Sequence, residues 1–354
     1  MKPLFHQKKI SVHDTTVREG FQREERLVST EAKLWVVEQL VKAGFRHLEV
    51  TNFANPNRLP QFADAEELLR LIRTKKSIEH CLPAVELSAI AINRTAVERA
   101  VAARRSGFGP DRILLVISIS EAYHYSNTGM NIDAYWKMSE ECIPLARDAG
   151  LKVCGVINSI WGCPKTGRTE MKTAVEFAKR WLAIGAEDIE HADHDGSATP
   201  DRVYGYFSTV LDTIPDPEKH IAHFHSTRGW GLANVLAALQ AGITHYESTM
   251  GGLGGQPANF VDGVPVAGTG DYYHKDPALS GLIATEDLVV MLDEMGLEPG
   301  VDVDSVLRIG AMVERIVGRR LRSECVHTGR IVKNNLSRPP LAGARIPLFH
   351  DNTR

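Results

Sequence analysis

The sequence lacks closely spaced cysteines, and this absence excludes two kinds of stabilised protein. Its five cysteines are scattered singly over 354 residues, whereas a disulfide framework or a zinc clip needs cysteines only a few residues apart. We therefore expect a reducing location, the cytoplasm. The cysteines are Cys81, Cys142, Cys154, Cys163 and Cys325.

The sequence also lacks an excess of charge and a long apolar run. The formal net charge of -3 provides no basic surface for nucleic acid and no acidic docking tail. Residues 1–9 carry positive charges with no apolar stretch after them, so we expect neither a secretory signal nor contact with a membrane. The hydrophobic fraction of 43% and the charged fraction of 24% are typical of a soluble globular protein.

One supersecondary pattern recurs between Lys9 and Thr249: a short β-rich run, a polar or Gly/Pro loop, and an amphipathic stretch with apolar residues three and four apart. Eight such units in a row predict an α/β protein of the (β/α)8 TIM-barrel type. The predicted strands are 10–14, 47–51, 78–85, 112–118, 152–157, 188–193, 220–225 and 244–249. The predicted helices are 30–43, 61–73, 94–105, 133–149, 170–184, 200–211 and 231–241.

The chain after the eighth unit predicts a cover for the barrel. Residues 251–336 begin Gly-rich and regain helical character at 285–295 and 303–317, which indicates a lid loop followed by helices packed on the barrel. We expect 1–250 to form the catalytic barrel and 337–354 to form a tail.

Two histidines one residue apart, His223 and His225, end the seventh predicted strand. Side chains alternate across a strand, so this pair shares a face and can bind one ion. Arg18 and Glu19 follow the first predicted strand, and the carboxyl ends of all strands ring one mouth in a parallel barrel. Two imidazoles and a carboxylate form a three-ligand metal site with open positions, and Arg18 would stabilise a developing oxyanion. An exposed ion pair is the alternative for these two charged residues.

The sixth predicted strand ends in a further polar group with two interpretations. Asp193 is either an acid/base group in the mouth or a capping residue for the helix that follows. Three polar neighbours form either hydrogen-bonding structure, the commoner case, or a second metal cluster. They are His191, His194 and Asp195.

From residue 10 to about residue 288 the chain resembles the metal-dependent lyases and synthases whose barrel is related to 3-hydroxy-3-methylglutaryl-CoA lyase, isopropylmalate synthase and homocitrate synthase. Asp14-Thr15-Thr16-Val17-Arg18-Glu19-Gly20-Phe21-Gln22 and His223-Phe224-His225 with the Arg228-Gly229-Trp230-Gly231 run resemble the motifs of this family. Segments 49–53, 162–164, 251–255 and 284–289 resemble its lyase branch.

The resemblance implies a role for most of the polar residues of the mouth. The implied metal ligands are Glu19, His223 and His225. The implied catalytic groups are Arg18, which stabilises the oxyanion, with Glu49 and Asp193 as polar or acid/base groups. The residues from which we expect substrate contacts are Gln22, Thr51, Asn52 and Gln256.

The chain departs from the lyase pattern at three positions. Glu19 stands where the lyases usually have Asp, and its longer side chain still reaches an ion. Gln256 replaces a Cys and cannot exchange a proton at neutral pH, while Leu282 replaces an Asn near the metal. An inserted segment, 259–279, separates these last two positions and offers replacement groups. These groups are Asp262, Asp271, Tyr272, Tyr273 and His274.

We therefore expect a divalent-metal-dependent carbon–carbon lyase that cleaves a 3-hydroxy acid or its acyl-CoA thioester, other than hydroxymethylglutaryl-CoA, by retro-aldol or retro-Claisen chemistry. One alternative is a synthase that condenses acetyl-CoA with a 2-oxo acid, although the chain after Leu288 is shorter than in those enzymes. Another is a non-catalytic metal-binding barrel. The resemblance favours Mg or Mn, mixed N/O ligation also suits Zn or Co, and we expect a homodimer or higher homo-oligomer.

Overall fold

The computed structural model describes residues 9–163, 165–255 and 280–331, together with the backbone of two short strands in the segment between the last two ranges. Eight parallel strands pair in chain order, and the eighth pairs with the first, so the sheet is a closed barrel. This topology confirms the predicted (β/α)8 fold. The strands are β1 Ser11–Asp14, β2 His47–Asn52, β3 Glu86–Ile90, β4 Arg112–Ser118, β5 Lys152–Asn158, β6 Asp188–Asp193, β7 His220–Phe224 and β8 His245–Ser248.

Helices surround the barrel and bury the outer faces of its strands. Side chains alternate along each strand, so that Ile189 and Ala222 pack outward into the large core beneath the helices, whereas Ala192 and Ile221 pack inward. None of the described helices is both long and apolar enough to cross a membrane. The helices are α1 Thr30–Ala43, α2 Ala65–Arg73, α3 Arg94–Arg105, α4 Glu121–Thr128, α5 Ile132–Asp148, α6 Met171–Ala183, α7 Pro200–Thr213, α8 Gly231–Ala241, α9 Thr285–Glu294, α10 Val303–Val317 and α11 Glu324–Thr328.

The third strand differs from the prediction. Residues 78–85 form turns and a short 3-10 helix that contains Pro83, and the strand begins only at Glu86. Proline lacks the N–H that a central strand needs. Ile78 and Leu82 are buried four residues apart, the spacing of a turn, whereas Leu87 and Ala89 are buried two apart. The prediction for 78–85 was wrong because it rested on the number of apolar residues in this stretch. Their spacing is that of a turn and not the two-residue spacing of a strand.

The C-terminal helices are attached to the barrel through the start of α9. Thr285 Oγ1 donates to Asp14 Oδ2 at 3.1 Å and to Ser248 Oγ at 2.8 Å, which ties α9 to the ends of β1 and β8. Within the predicted lid, Asn259–Val261 and Val264–Val266 pair as antiparallel strands, β9 and β10. The remainder of 256–279 and the predicted tail, 337–354, lie outside the described residues. The division into barrel, lid and tail stays a prediction.

Glu286, in the first turn of α9, is a fully buried carboxyl group beside the barrel. Both of its oxygens accept from the backbone N–H of Gly251, at 3.0 and 2.8 Å, and its side chain fills the space that a Cβ on Gly310 of α10 would occupy. Burial raises the pKa of Glu286 to about 8, although these backbone hydrogen bonds act to lower it. The folded protein therefore keeps this carboxyl largely protonated at neutral pH.

We expect Glu286→Gln to stabilise the protein progressively as the pH rises from 5 to 8. The unfolded carboxyl ionises near its ordinary pKa of 4.5, whereas the folded one retains its proton to about pH 8, so the wild type loses stability across this interval. The free energy of unfolding of the wild type falls by about 1.4 kcal/mol per pH unit, and by at most about 5 kcal/mol at pH 8. Glutamine has no carboxyl proton to lose and avoids this loss. Urea unfolding at both pH values measures the difference. The exposed Glu67→Gln serves as control. A difference in unfolding free energy between Glu286→Gln and wild type that is the same at pH 5 and pH 8 would contradict the expectation.

Candidate active site

The chain after β1 turns its charged residues into the barrel mouth. Thr16–Gly20 forms one buried turn of π-helix, which directs Arg18 and Glu19 inward. On β7, His223 follows Ile221 on the inner face, and His225 continues the same alternation just past the end of the strand. Elements from opposite ends of the barrel sequence thus converge on one buried cavity.

Glu19, His223 and His225 meet as the sequence predicts. Glu19 Oε1 lies 3.1 Å from His225 Nε2 and 3.9 Å from His223 Nε2. One ligand atom from each side chain lies within 4.8 Å of the others, and all three residues are at most 6% exposed. Arg18 and His223 hold the pKa of Glu19 well below its ordinary value, against the burial that acts to raise it. The carboxylate is therefore ionised and able to bind a cation.

Two carboxylates that the sequence analysis did not identify orient His223. Its Nδ1 lies 2.6 Å from Glu247 Oε2 and 3.1 Å from Glu190 Oε1. Burial alone would lower the pKa of His223, but the charges of Glu190 and Glu19 raise it well above its ordinary value. These contacts place the Nδ1 hydrogen on the carboxylate side and direct Nε2 to Glu19, where a bound cation would replace the proton that the raised pKa keeps on Nε2.

The cluster fits a divalent cation by its chemistry. One carboxylate oxygen and two imidazole nitrogens are ligands for Mn, Zn or Co, and Mg accepts the oxygen together with water. His225 Nδ1 has no hydrogen-bond partner among the described residues, so the ring is held through Nε2 alone. A second group of ligand atoms at similar spacing comes from Glu190, His223 and Glu247. The contacts of His223 with the two carboxylates already explain why these atoms lie close together.

Arg18 is fixed between two carboxylates beside this cluster. Its Nη1 lies 2.7 Å from Glu19 Oε2, and its Nη2 donates to Glu49 Oε2 at 2.7 Å. Thr15 Oγ1 also donates to Glu49 Oε2, at 2.9 Å. Burial acts to lower the pKa of Arg18, but Glu49 and Glu19 raise it, and burial raises the pKa of Glu49 to about 6. Glu49 therefore positions the guanidinium, which lines the cavity.

Only some of the residues predicted to contact the substrate line the cavity. Gln22 and Asn52 line the cavity, with Gln22 Nε2 donating to the carbonyl oxygen of Gly255 at 2.9 Å. Thr51 is buried but is not among the residues that line the cavity. Gln256 lies outside the described residues.

Asp193 lies away from the cavity in the described contacts. Its Oδ1 accepts from the backbone N–H of Ser197 at 2.8 Å, and its Oδ2 accepts from that of Ala198 at 3.2 Å. Both oxygens therefore hold the loop that precedes α7, as in the capping alternative from the sequence. The predicted acid/base role of Asp193 has no support in these contacts and stays a prediction.

The cavity has two differently lined sides. One side is formed by β3, β4, β5 and the loop after β3, and it is largely apolar. The other side is formed by β6, β7 and the turn after β1, and it carries the charged groups. The residues of the first side are Ile90, Ile92, Val116, Val156 and the polar Asn158. The charged residues and histidines of the second side are Arg18, Glu19, Glu190, His194, His223 and His225.

Leu282 and Gly254 lie beside the cluster on the lid side. Leu282 forms a backbone bridge with His225, which brings its apolar side chain beside the cluster. Gly254 has a φ of +116°, and a Cβ added there would lie 2.9 Å from Leu282 Cδ1 and 3.0 Å from Glu19 Cγ. Only glycine fits both the backbone conformation and this space.

We expect Gly254→Ala to weaken divalent-metal binding about tenfold, because a Cβ at this position would press on Glu19 Cγ as well as on Leu282 Cδ1. Calorimetric titration with Mn2+ measures the affinity. Gly107→Ala is a matched control, since Gly107 also has a positive φ, of +86°, but a Cβ there meets nothing within 4 Å. Equal Mn2+ affinity in the two variants would show that Gly254 does not position Glu19.

The fold and the site define a class: a (β/α)8 barrel protein whose mouth holds a buried carboxylate–histidine cluster beside an arginine. Residues 9–313 match the model of the HMGL-like family. The chain therefore belongs to the HMGL-like family, which confirms the resemblance in its sequence.

Relatives match over most of their length. The mitochondrial hydroxymethylglutaryl-CoA lyase of Bos taurus is 30% identical over 317 residues, which cover 90% of this chain and 88% of the relative. The cytoplasmic 3-hydroxy-3-methylglutaryl-CoA lyase of Mus musculus is 31% identical over 315 residues, which cover 89% and 83%. Because the relatives come from two compartments, the cytoplasmic location of this chain stays a prediction.

A solved structure shares the whole fold. An HMG-CoA lyase from Acinetobacter baumannii, in complex with coenzyme A and 3-methylmalate, superimposes with a TM-score of 0.79 at 28% identity. The match covers 94% of this chain and 98% of that one. The predicted homo-oligomer remains a prediction.

Proposed function

We propose that the protein is a divalent-metal-dependent lyase that breaks a carbon–carbon bond in a 3-hydroxyacyl-CoA thioester or the related acid. The observation that carries the proposal is the convergence of Glu19, His223 and His225 with Arg18 at one buried cavity. Membership of the HMGL-like family supports lyase chemistry on an acyl-CoA. The coenzyme A and hydroxy acid bound to the solved relative support this ligand class.

Each described residue of the cluster has a task in this reaction. A bound divalent cation supplies Lewis-acid polarisation of the substrate oxygens. Glu19, His223 and His225 would hold it, and Glu247 and Glu190 keep His223 Nε2 turned toward Glu19.

Arg18 supplies the positive charge for the enolate oxygen that develops as the bond breaks. Glu49 and Thr15 fix its guanidinium before the substrate binds, so little reorganisation is needed in the transition state. The buried, partly apolar cavity strengthens this interaction by excluding water.

We infer that the preferred substrate differs from hydroxymethylglutaryl-CoA. Leu282 places only carbon atoms beside the cluster, at the position where the lyases resembled by this chain have Asn. Arg18 is the only lysine or arginine among the described residues that line the cavity. A substrate with an apolar group on the hydroxyl-bearing carbon would pack against the β3–β5 side of the cavity. Such a group needs no second positively charged side chain.

The test is a cleavage assay with a panel of 3-hydroxyacyl-CoA thioesters that includes hydroxymethylglutaryl-CoA. The protein is stripped with a chelator and reloaded with Mg2+ or Mn2+, and acetyl-CoA and the carbonyl product are measured. We expect metal-dependent cleavage, fastest for a thioester other than hydroxymethylglutaryl-CoA. Cleavage that persists in the chelator, or no cleavage of any thioester by the metal-loaded protein, would contradict the proposal.

A further inference from the structure

His194 is a buried histidine on the cavity wall that the cluster does not use. It follows β6 directly and shares the inner face of that strand with Glu190 and Ala192, since alternate residues point the same way. Its side chain lines the same cavity as the cluster, and the residue is 7% exposed. The ring lies against Tyr123 of α4, with centroids 4.5 Å apart.

Both nitrogens of His194 lack hydrogen-bond partners among the described residues. Structural histidines of this barrel behave differently. His191, three residues earlier on the outer face, pairs Nδ1 with Tyr206 Oη at 2.8 Å and Nε2 with His220 Nδ1 at 3.0 Å. A buried polar group left unpaired costs about 1–3 kcal/mol. A buried ring with two open positions on a cavity wall is therefore suited to a ligand.

His194 stands apart from the groups of potential ligand atoms. The ligand atoms that gather within 4.8 Å of one another in the described part of the chain come from Glu19, His223 and His225, and from Glu190, His223 and Glu247, not from His194. Burial lowers the pKa of His194 to about 4, against the nearby Asp195 that acts to raise it. The ring is neutral at neutral pH, with one N–H donor and one acceptor nitrogen.

We propose that His194 is a substrate-binding residue that donates a hydrogen bond to the substrate oxygen outside the cation chelate. In a 3-hydroxyacyl thioester whose hydroxyl-bearing carbon also carries a carboxylate, the hydroxyl and that carboxylate would chelate the cation, and the oxygen outside the chelate is the thioester carbonyl. In a small hydroxy diacid it is the distal carboxylate. The assignment rests on the proposed lyase function. Because negative charge grows on the thioester oxygen when the carbon–carbon bond breaks, the hydrogen bond strengthens in the transition state.

A pair of hydroxy acids isolates this contact without requiring turnover. 3-Methylmalate and 2-hydroxy-3-methylbutanoate share the hydroxyl and adjacent carboxylate that chelate a cation, but only 3-methylmalate has the distal carboxylate. Both are titrated calorimetrically into the Mn2+-saturated protein, as wild type and as His194→Phe, which keeps a ring against Tyr123. We expect the variant to bind 3-methylmalate at least tenfold more weakly and 2-hydroxy-3-methylbutanoate within twofold of wild type.

The kinetic readout distinguishes substrate contact from packing. With the best thioester, His194→Phe should lower kcat at least tenfold with a smaller change in KM, and His194→Gln, which restores an N–H donor, should recover part of the loss. Mn2+ affinity should not change in either variant. His191→Phe, the same substitution on the outer face of β6, is the control, and it should lower the unfolding temperature without altering the preference between the two acids.

The outcomes separate this assignment from the proposed function. Loss of Mn2+ affinity in His194→Phe, or an unchanged preference between the acids, would overturn the assignment even if the wild type cleaves thioesters. A wild type that cleaves none but binds 3-methylmalate through His194 would reject the lyase and keep the contact. A metal-loaded wild type that binds neither acid and cleaves no thioester would reject both.

Discussion

His223→Ala is expected to remove the divalent cation and to lower kcat/KM by about a thousandfold or more. His223 is one of the three proposed ligands, and its loss also leaves Glu247 and Glu190 as neighbouring buried carboxylates without the imidazole between them. With the metal absent, the proposed Lewis-acid polarisation of the substrate oxygens is lost. Metal content by elemental analysis and activity with saturating Mn2+ measure the two effects.

The control for this variant is His220→Ala on the same strand. His220 is buried at the opposite end of β7, where it contacts His191 and the carbonyl oxygen of Ile214. This variant should lose stability but keep its metal. Equal metal content in wild type and His223→Ala would show that the cluster is not the metal site. Glu247→Gln should give an intermediate result, a loss of about 10–100-fold in metal affinity.

Arg18→Lys is expected to lower kcat by about a hundredfold or more while leaving metal content unchanged. Lysine keeps a positive charge between Glu19 and Glu49, so the fold tolerates it, but it cannot reproduce the planar guanidinium held by both carboxylates. Loss of one fixed donor to a developing oxyanion costs about 10²–10³ in rate. Steady-state kinetics with the best thioester measure the loss.

Arg112→Lys provides a matched comparison. Arg112 is also buried between two carboxylates, Glu86 and Asp188, but at the opposite end of the barrel. It should lower the free energy of unfolding about as much as Arg18→Lys does and leave kcat within twofold. A similar kcat in the two variants would exclude Arg18 from the reaction.

The sequence predicted the barrel and the convergence of Glu19, His223 and His225 because both depend on short-range patterns. Alternation along a strand determines that His223 and His225 share a face, and parallel closure brings the end of β1 to the same mouth. The same alternation separates Asp193 from His194. A shift of one residue reverses the face, so Asp193 points to the loop before α7 and His194 lines the cavity.

Glu190 and Glu247 were missed because their role depends on register between strands. Glu247 pairs with His223 across β7 and β8, and single acidic residues inside strands carry no motif. The short helix α4 was missed for a different reason: it is mostly polar and exposed, so no apolar stripe marks it. Gln256, which the sequence predicts to contact the substrate, lies outside the described residues.

The two-sided lining of the cavity has a consequence for how this protein can diversify. The ion pairs and carboxylate–histidine contacts come from β2, β6, β7, β8 and the turn after β1, whereas β3 and β4 contribute aliphatic side chains to the cavity and β5 contributes Val156 and Asn158. Exchanging Ile90 or Val116 for a smaller or larger aliphatic residue alters the shape of the cavity without disturbing any charge. The shape of this side of the cavity can therefore change while the charged contacts stay fixed.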